Sequence, residues 1–383
     1  MHVALVTLGY QPFRTSGFDL AGERLAHALL TAGHHVTIIA AGENRLQEVD
    51  RHPALDICRI PLGWTNWYGF ASRAARWLRK NPRFDVLHFY DVSFSHAYHG
   101  PYVASLQHSF RQRIVSLGAF PGASPSKWLY RYGYYSFARR FAEKPGLERA
   151  RGLLATSSST MDEYLRNYSI DPGRMVLARH CVDTTAFRRI SNRSAFRQKF
   201  SLGPEEPVIL FVGFITPRKG IEHLAQAMPM MDPIPKLLIV GKWRDDHYRQ
   251  FVIQKFGKLW GKVIEVGFVP DDQMASIYSA ADVYVSPSLM EGFGLPPGEA
   301  LSCETPVVVT DAGASAEVAG PGGFVVSPRD STGIAQAVSI LLRDPQKAQE
   351  MGQAGRAHIE RSFSKQAMLK STLEGYKKFL GVE

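Results

Sequence analysis

Short apolar runs closed by glycine or proline recur along the chain and alternate with stretches whose apolar residues fall three and four apart. Residues 2–8 (HVALVTL) read as a buried strand, and a glycine-containing loop over 9–17 follows. A helical pattern over 20–32 places Leu25, Ala28 and Leu29 on one face. Gly33 stops it, and VTIIA at 36–40 begins a second strand. Further strands fit 56–60, 85–89, 102–106, 152–156 and 175–178. The pattern restarts after residue 190, with strands at 207–213, 236–241, 263–267, 281–286 and 306–310 and a helix over 220–228 that Pro229 closes. This order predicts an α/β fold with one doubly wound sheet in each half. The charged stretch 188–206 reads as a linker, and a long polar helical segment over 346–380 as a brace between the halves.

Composition narrows the choice. A chain of 383 residues with 45% hydrophobic and 21% charged positions builds packed cores, which excludes a disordered protein. Cys58, Cys181 and Cys303 are too far apart for a disulfide framework or a CxxC metal pair, which points to a reducing compartment. The start lacks a basic, cleavable leader pattern, and no apolar run approaches the roughly 18 residues of a spanning helix. A cytoplasmic location is the resulting expectation. The net charge of +10 is uneven: residues 1–190 carry 24 Lys and Arg against 14 Asp and Glu, and residues 191–383 carry 21 of each. The first half is therefore expected to meet something acidic, or to carry a basic solvated surface.

The richest stretch is ADVYVSPSLMEGFGLPPGEALSCETPVVVTDAGASAEVAG, residues 281–320. A strand ends near Ser286, and a loop carries Glu291, Gly292, Phe293 and Gly294. Pro296 and Pro297 suit the first turn of a helix, where a missing N–H is harmless. Ligands of open α/β sheets lie beyond the carboxyl ends of the strands. The amides of Phe293, Gly294 and Leu295 at a helix start are donors for a diphosphate. Glu299, one turn inside, is placed to accept from ribose hydroxyls, and Glu291 to reach towards a leaving group. The plain alternative makes Glu299 a partner of the helix dipole and Glu291 a loop charge.

This stretch closely resembles the donor site of retaining GT-B glycosyltransferases of the family-4 type (glycosyl transferases group 1), whose signature is two glutamates spaced as Glu291 and Glu299 are. FVGFITPRKG (211–220) resembles that family's phosphate loop, GFVPDDQMASIYSAADVYVSPSLMEGFGLP (267–296) its central segment, and RSFSKQAMLKSTLEGYKKFL (361–380) its closing helix. The resemblance implies a GT-B fold: two Rossmann-like αβα domains facing across a cleft. An acceptor-binding domain would span 1–190, a nucleotide-sugar-binding domain 191–365, and a closing helix 366–383 that packs back on the first domain. It implies Glu291 at the donor sugar, Glu299 at the ribose, Lys219 at the diphosphate and His108, at the end of YVASLQH, near the reacting sugar. Donor contacts would also come from Gly17, Gly213, Phe214, Arg218, Gly241, Lys242, Phe268, Val269, Phe293, Gly294 and Leu295. One departure stands out: Phe214 occupies a place where the family usually has arginine, so Arg218, Lys242 or Arg244 must supply the charge or the phosphate site is weaker. The resemblance further implies a UDP- or GDP-sugar donor, retention of configuration, and neither a cofactor nor a metal. Asp245-Asp246 and Asp271-Asp272 accordingly read as helix-start or surface charges.

The acceptor side has its own signal. Residues 124–144 interleave Trp128, Tyr130, Tyr132, Tyr134, Phe137 and Phe141 with Arg131, Arg139, Arg140 and Lys144. That mixture fits a buried aromatic helix with snorkelling cations, an anionic membrane surface at which the protein would be peripheral on the inner face, or an anionic soluble acceptor. Asp91 is a candidate for an acceptor hydroxyl. Glycan, lipid-linked and small-molecule acceptors stay open; nucleic acid is not expected. The alternatives to transfer are a GT-B protein that binds nucleotide-sugar with weak or no turnover, and a GT-B nucleotide-sugar epimerase.

Overall fold

The computed structural model describes residues 1–11, 17–42, 52–62, 66–116 and 125–382. They form two compact units, one from the chain up to Cys181 together with the residues from Lys365 onward, the other from Val182–Ser364.

The first unit is built on seven strands: β1 (His2–Val6), β2 (His35–Ala41), β3 (Leu55–Ile60), β4 (Val86–Phe89), β5 (Val103–Leu106), β6 (Gly152–Ala155) and β7 (Met175–Leu177). Every pairing is parallel, in the order β3-β2-β1-β4-β5-β6-β7. Between them run α1 (Gly17–Thr31), α2 (Asn66–Lys80), α3 (Phe110–Ser116), α4 (Pro125–Ala138), α5 (Lys144–Arg149) and α6 (Ser158–Asn167). Strand alternation divides the core. Val3, Leu5, Val36 and Ile38 pack beneath Leu25 and Leu29 of α1, while Ala4, Val6, Ile39 and Phe89 pack on the other face with Phe70 and Ala74 of α2. Helix α2 was not legible as a helix, because its buried stripe of Phe70, Ala71, Ala74 and Leu78 is interleaved with Arg73, Arg76, Arg79 and Lys80.

The second unit has six parallel strands, β8 (Val208–Val212), β9 (Lys236–Val240), β10 (Val263–Gly267), β11 (Val283–Ser286), β12 (Val307–Thr310) and β13 (Gly323–Val326). Their order is β10-β9-β8-β11-β12-β13, so the winding reverses between β8 and β11. Its helices are α7 (Arg193–Lys199), α8 (Ile221–Ala227), α9 (Asp246–Phe256), α10 (Met274–Ala280), α11 (Leu295–Ser302), α12 (Ser315–Ala319), α13 (Ser331–Arg343) and α14 (Pro345–Ser362). Ile209, Phe211, Leu237 and Ile239 face α8, α9 and α13, and Val208, Leu210, Leu238 and Val240 face α10 and α11.

Two expectations need correction. The stretch 188–206 is not an open linker. It contains α7, whose Arg197 is buried and donates to the carbonyls of Gly203, Pro204 and Glu206 and to Asp282. The segment 346–380 is not one helix. It breaks at Phe363, whose ring is buried and whose carbonyl accepts from the Val182 amide at 2.8 Å, and α15 (Lys365–Leu380) then belongs to the first unit.

Helix α15 is held to the first sheet by a buried polar chain. The Tyr376 hydroxyl meets His88 Nδ1 at 2.8 Å, and His88 Nε2 meets Ser105 Oγ at 2.8 Å. Burial pushes the His88 imidazole down to about 3, so it stays neutral. Tyr376→Phe removes the partner of a buried ring nitrogen. It is expected to destabilise the protein by about 1–3 kcal/mol in thermal or denaturant unfolding.

Candidate functional site

Three neighbouring strands of the second unit end alike. Gly213 after β8, Gly241 after β9 and Gly267 closing β10 all have positive φ, of 145°, 134° and 77°. Glycine is required at the second for space as well: a Cβ on Gly241 would lie 2.0 Å from the Gly213 carbonyl oxygen. The chain thus turns sharply at each strand end and leaves a rim of main chain.

Lys219 and Glu291 meet across the winding reversal. Lys219 closes the 3₁₀ turn Pro217–Lys219 after β8, and Glu291 sits in the loop after β11. Both side chains are buried, and the Lys219 ammonium donates directly to Glu291 Oε2. Ser288 Oγ donates to the same oxygen at 3.1 Å, and the Gly292 amide to Oε1 at 3.3 Å. Arg218 lies 4.0 Å from Oε1 and donates to the Met290 carbonyl at 3.1 Å. The loop is clamped from behind by Gly313, at φ 61°, where any Cβ would sit 1.8 Å from the Glu291 carbonyl oxygen. Burial alone would raise the Glu291 carboxyl. The adjacent Lys219 ammonium, then Arg218, outweigh that and hold it at about 2. Burial pulls the Lys219 ammonium down while Glu291 works in the opposite sense.

Other predicted residues fall around this pair. Helix α11 begins at Leu295 with prolines in its first turn and Gly294 before it at φ 85°. Glu299 is buried one turn on, accepting from the Tyr278 hydroxyl at 3.0 Å. Phe293 is buried with its ring 5.5 Å from that of Phe363. Phe214, 45% exposed, lies under the Arg244 guanidinium at 4.0 Å, and Phe268, 71% exposed, lies under the Lys242 ammonium at 5.6 Å. Val269 is half-buried beside it. No carboxylate among the described residues forms an ion pair with Arg244 or Lys242. Ser288 and Gly313 were not singled out in the sequence, where their only signal is their place just beyond β11 and β12, nor was Tyr278, which lies inside α10.

Gly17 and His108 belong to the first unit. Gly17 opens α1, and the loop before it lies outside the described residues. His108 Nδ1 is 3.1 Å from Glu163 Oε2, and Glu163 also accepts from the Ser109 amide at 2.7 Å. Asp91 caps a 3₁₀ turn through the Ser93 amide at 2.8 Å. Asp245 caps α9 through the Tyr248 amide at 3.1 Å, as its position in the sequence implied.

The sequence model of Glycosyl transferases group 1 matches residues 192–358, and that of Glycosyltransferase Family 4 matches residues 23–186. The chain belongs to this glycosyltransferase family, and its fold is GT-B. It is 31% identical over 258 residues to an alpha-maltose-1-phosphate synthase of Mycolicibacterium smegmatis, a match covering 62% of this chain and 66% of that protein. A sucrose-phosphate synthase structure from Thermosynechococcus elongatus superposes with a TM-score of 0.82 at 23% identity, covering 100% of both chains. HepE of Anabaena, solved with UDP and glucose, superposes with a TM-score of 0.76 at 16% identity, covering 97% of this chain and 98% of that one.

The depressed Glu291 carboxyl has a stability consequence. Its ordinary value is 4.5 and its folded value about 2, so ionised Glu291 stabilises the native state fully above about pH 5. That contribution is lost as pH falls towards 2. Unfolding of the wild type and Glu291→Gln, compared across this range, should show their stability difference narrowing by about 3 kcal/mol.

Proposed function

We propose that the protein transfers a sugar from a nucleoside-diphosphate-sugar to an acceptor hydroxyl, with retention of configuration and without a divalent metal. The observation that carries the reading is the buried Lys219–Glu291 pair at the winding reversal of the second sheet, beside the glycine-lined strand ends. Family membership and the UDP and glucose held by the Anabaena relative support the donor class. In this reading the diphosphate lies on the amides of Phe293, Gly294 and Leu295 and on Lys219, while Glu299 takes the ribose and Glu291 orients the sugar. His108 serves the sugar from the acceptor-binding domain, with Glu163 fixing its ring. The bond from the anomeric carbon to the diphosphate oxygen breaks as the acceptor oxygen bonds on the same face. The acceptor proton passes to the departing phosphate oxygen. The reaction is further placed beside a membrane on the cytoplasmic side.

Lys219 is already matched by Glu291, so a diphosphate needs additional positive charge. Arg244 is placed to supply it. Its guanidinium stacks on Phe214, the residue that stands where the family usually has arginine. Arg244→Ala should weaken nucleoside-diphosphate binding roughly tenfold or more. Phe214→Arg in that background should restore it, and an unchanged affinity in Arg244→Ala would remove Arg244 from the site.

Thermal-shift titration with UDP, GDP, ADP and dTDP should raise the Tm with one base preferred. Lys219→Ala and Glu291→Ala should each lower sugar transfer by roughly 10²–10³-fold. Nucleotide binding with no transfer to any acceptor would favour the binding protein, and interconversion of the donor sugar would favour the epimerase.

A further inference from the structure

Helix α4 carries its apolar residues on the wrong side for a core. Leu129 is 65% exposed, Tyr130 73%, Phe137 45% and Phe141 52%, and Tyr134 is at 36%. Leu129, Tyr130, Gly133, Tyr134 and Phe137 follow helical spacing along one side and line an open groove, and Phe141 continues that side on the turn after α4. The alternative of a buried aromatic helix is therefore excluded.

The opposite side of the same segment is firmly seated. Ala138 and Ala142 are fully buried. Glu143, at the end of the π-helical turn Arg139–Glu143, accepts from the Phe110 amide at 3.0 Å and from the Tyr164 and Tyr168 hydroxyls. On the stripe side, Tyr134 accepts from the indole N–H of Trp67 of α2, and the rings of Tyr68 and Phe137 lie 5.4 Å apart, so α2 braces that edge as well. The exposed stripe is thus displayed by a braced helix, where leaving five large apolar side chains in water costs stability without return from folding.

Charge decides what would cover it. Glu143 is the sole acidic residue between positions 92 and 147, and it is buried, whereas that stretch holds seven Lys and Arg. Arg131 and Arg140 are exposed on α4 and its continuation, and Arg111 is exposed on α3. A second copy of the chain would bring the same positive charge against itself. An anionic bilayer satisfies both features: acyl chains take the leucine and phenylalanines, the interface suits tyrosine and tryptophan, and headgroups meet the arginines.

We propose that α4 with the turn after it is an in-plane docking helix for an anionic lipid bilayer, inserting Leu129, Tyr130, Phe137 and Phe141 below the headgroups. This deepens the membrane placement of the proposed function but not its chemistry. The test reads lipid contact alone, and nucleotide thermal shifts read the donor site, so either can fail without the other.

Full-length protein is floated with vesicles of phosphatidylcholine alone or with about a third phosphatidylglycerol. Association should appear with the anionic vesicles and weaken as salt rises. Leu129→Asp and Phe137→Asp should each lower partitioning roughly tenfold, and Arg131→Glu with Arg140→Glu should abolish the preference for anionic vesicles. All four sites are exposed, so the Tm and nucleotide response should be unchanged; should a variant unfold, Tyr130→Ser supplies a milder test. Equal recovery from both vesicle types, or partitioning indifferent to these substitutions, overturns the proposal. So does a wild-type dimer in sedimentation velocity that Leu129→Asp dissociates, which would assign the stripe to a second copy.

Discussion

An ammonium and a carboxylate buried side by side cannot be separated without leaving a naked charge in the protein, and the second unit is arranged around that constraint. Lys219 and Glu291 come from loops 72 residues apart. They meet because β8 and β11, whose carboxyl ends launch those loops, are neighbours at the point where the sheet reverses its winding. Ser288, the Gly292 amide and Arg218 surround the carboxylate, and Gly313 allows the next loop to press against its backbone. Such a pair is a poor device for stability, since an apolar pair of similar volume often serves as well. Its persistence makes sense where a charge is needed in place before a ligand arrives.

The same pair shapes what the site demands of its ligand. With Glu291 ionised well below neutral pH, the two charges cancel in the resting protein. Under the proposed function, an incoming diphosphate would share Lys219 with Glu291 and draw on charge from the rim. The rim offers Lys242 and Arg244, each stacked on an exposed phenylalanine rather than paired with a carboxylate. A guanidinium resting on a ring is held in place yet keeps its hydrogen-bond donors unspent. In the proposed reading, Arg244 on the Phe214 ring takes over the charge that the family resemblance leads one to expect at position 214.

Much of this was legible in the residues, and the exceptions have physical causes. Strands buried on both faces leave continuous apolar runs, so β1, β2, β8, β9 and β12 stood out. Edge strand β13 is only half-buried and did not stand out in the same way. Helix α2 was hidden by arginines between its buried alanines, and the break at Phe363 by the lack of a helix-stopping glycine or proline there. Within the site, Glu291, Lys219 and the glycines carried a pattern. The partnership of Glu299 with Tyr278, and of Glu163 with His108, depends on side chains brought together by packing.

Net charge carries no sign of the proposed donor site and bears on the proposed lipid contact only together with other features. Residues 191–383 balance 21 basic against 21 acidic residues, yet cations gather at one sheet edge there because local placement governs a ligand's field. In the first half the excess of ten positive charges is spread widely, and by itself it fits any solvated surface. It gains meaning on α4, where basic residues flank exposed rings and Glu143 is turned inward to hold the helix on the core. Apolar exposure without charge would have pointed to another protein, and charge without apolar exposure to nothing specific. Their coincidence on one rigid helix is what the proposed contact with a lipid surface rests on.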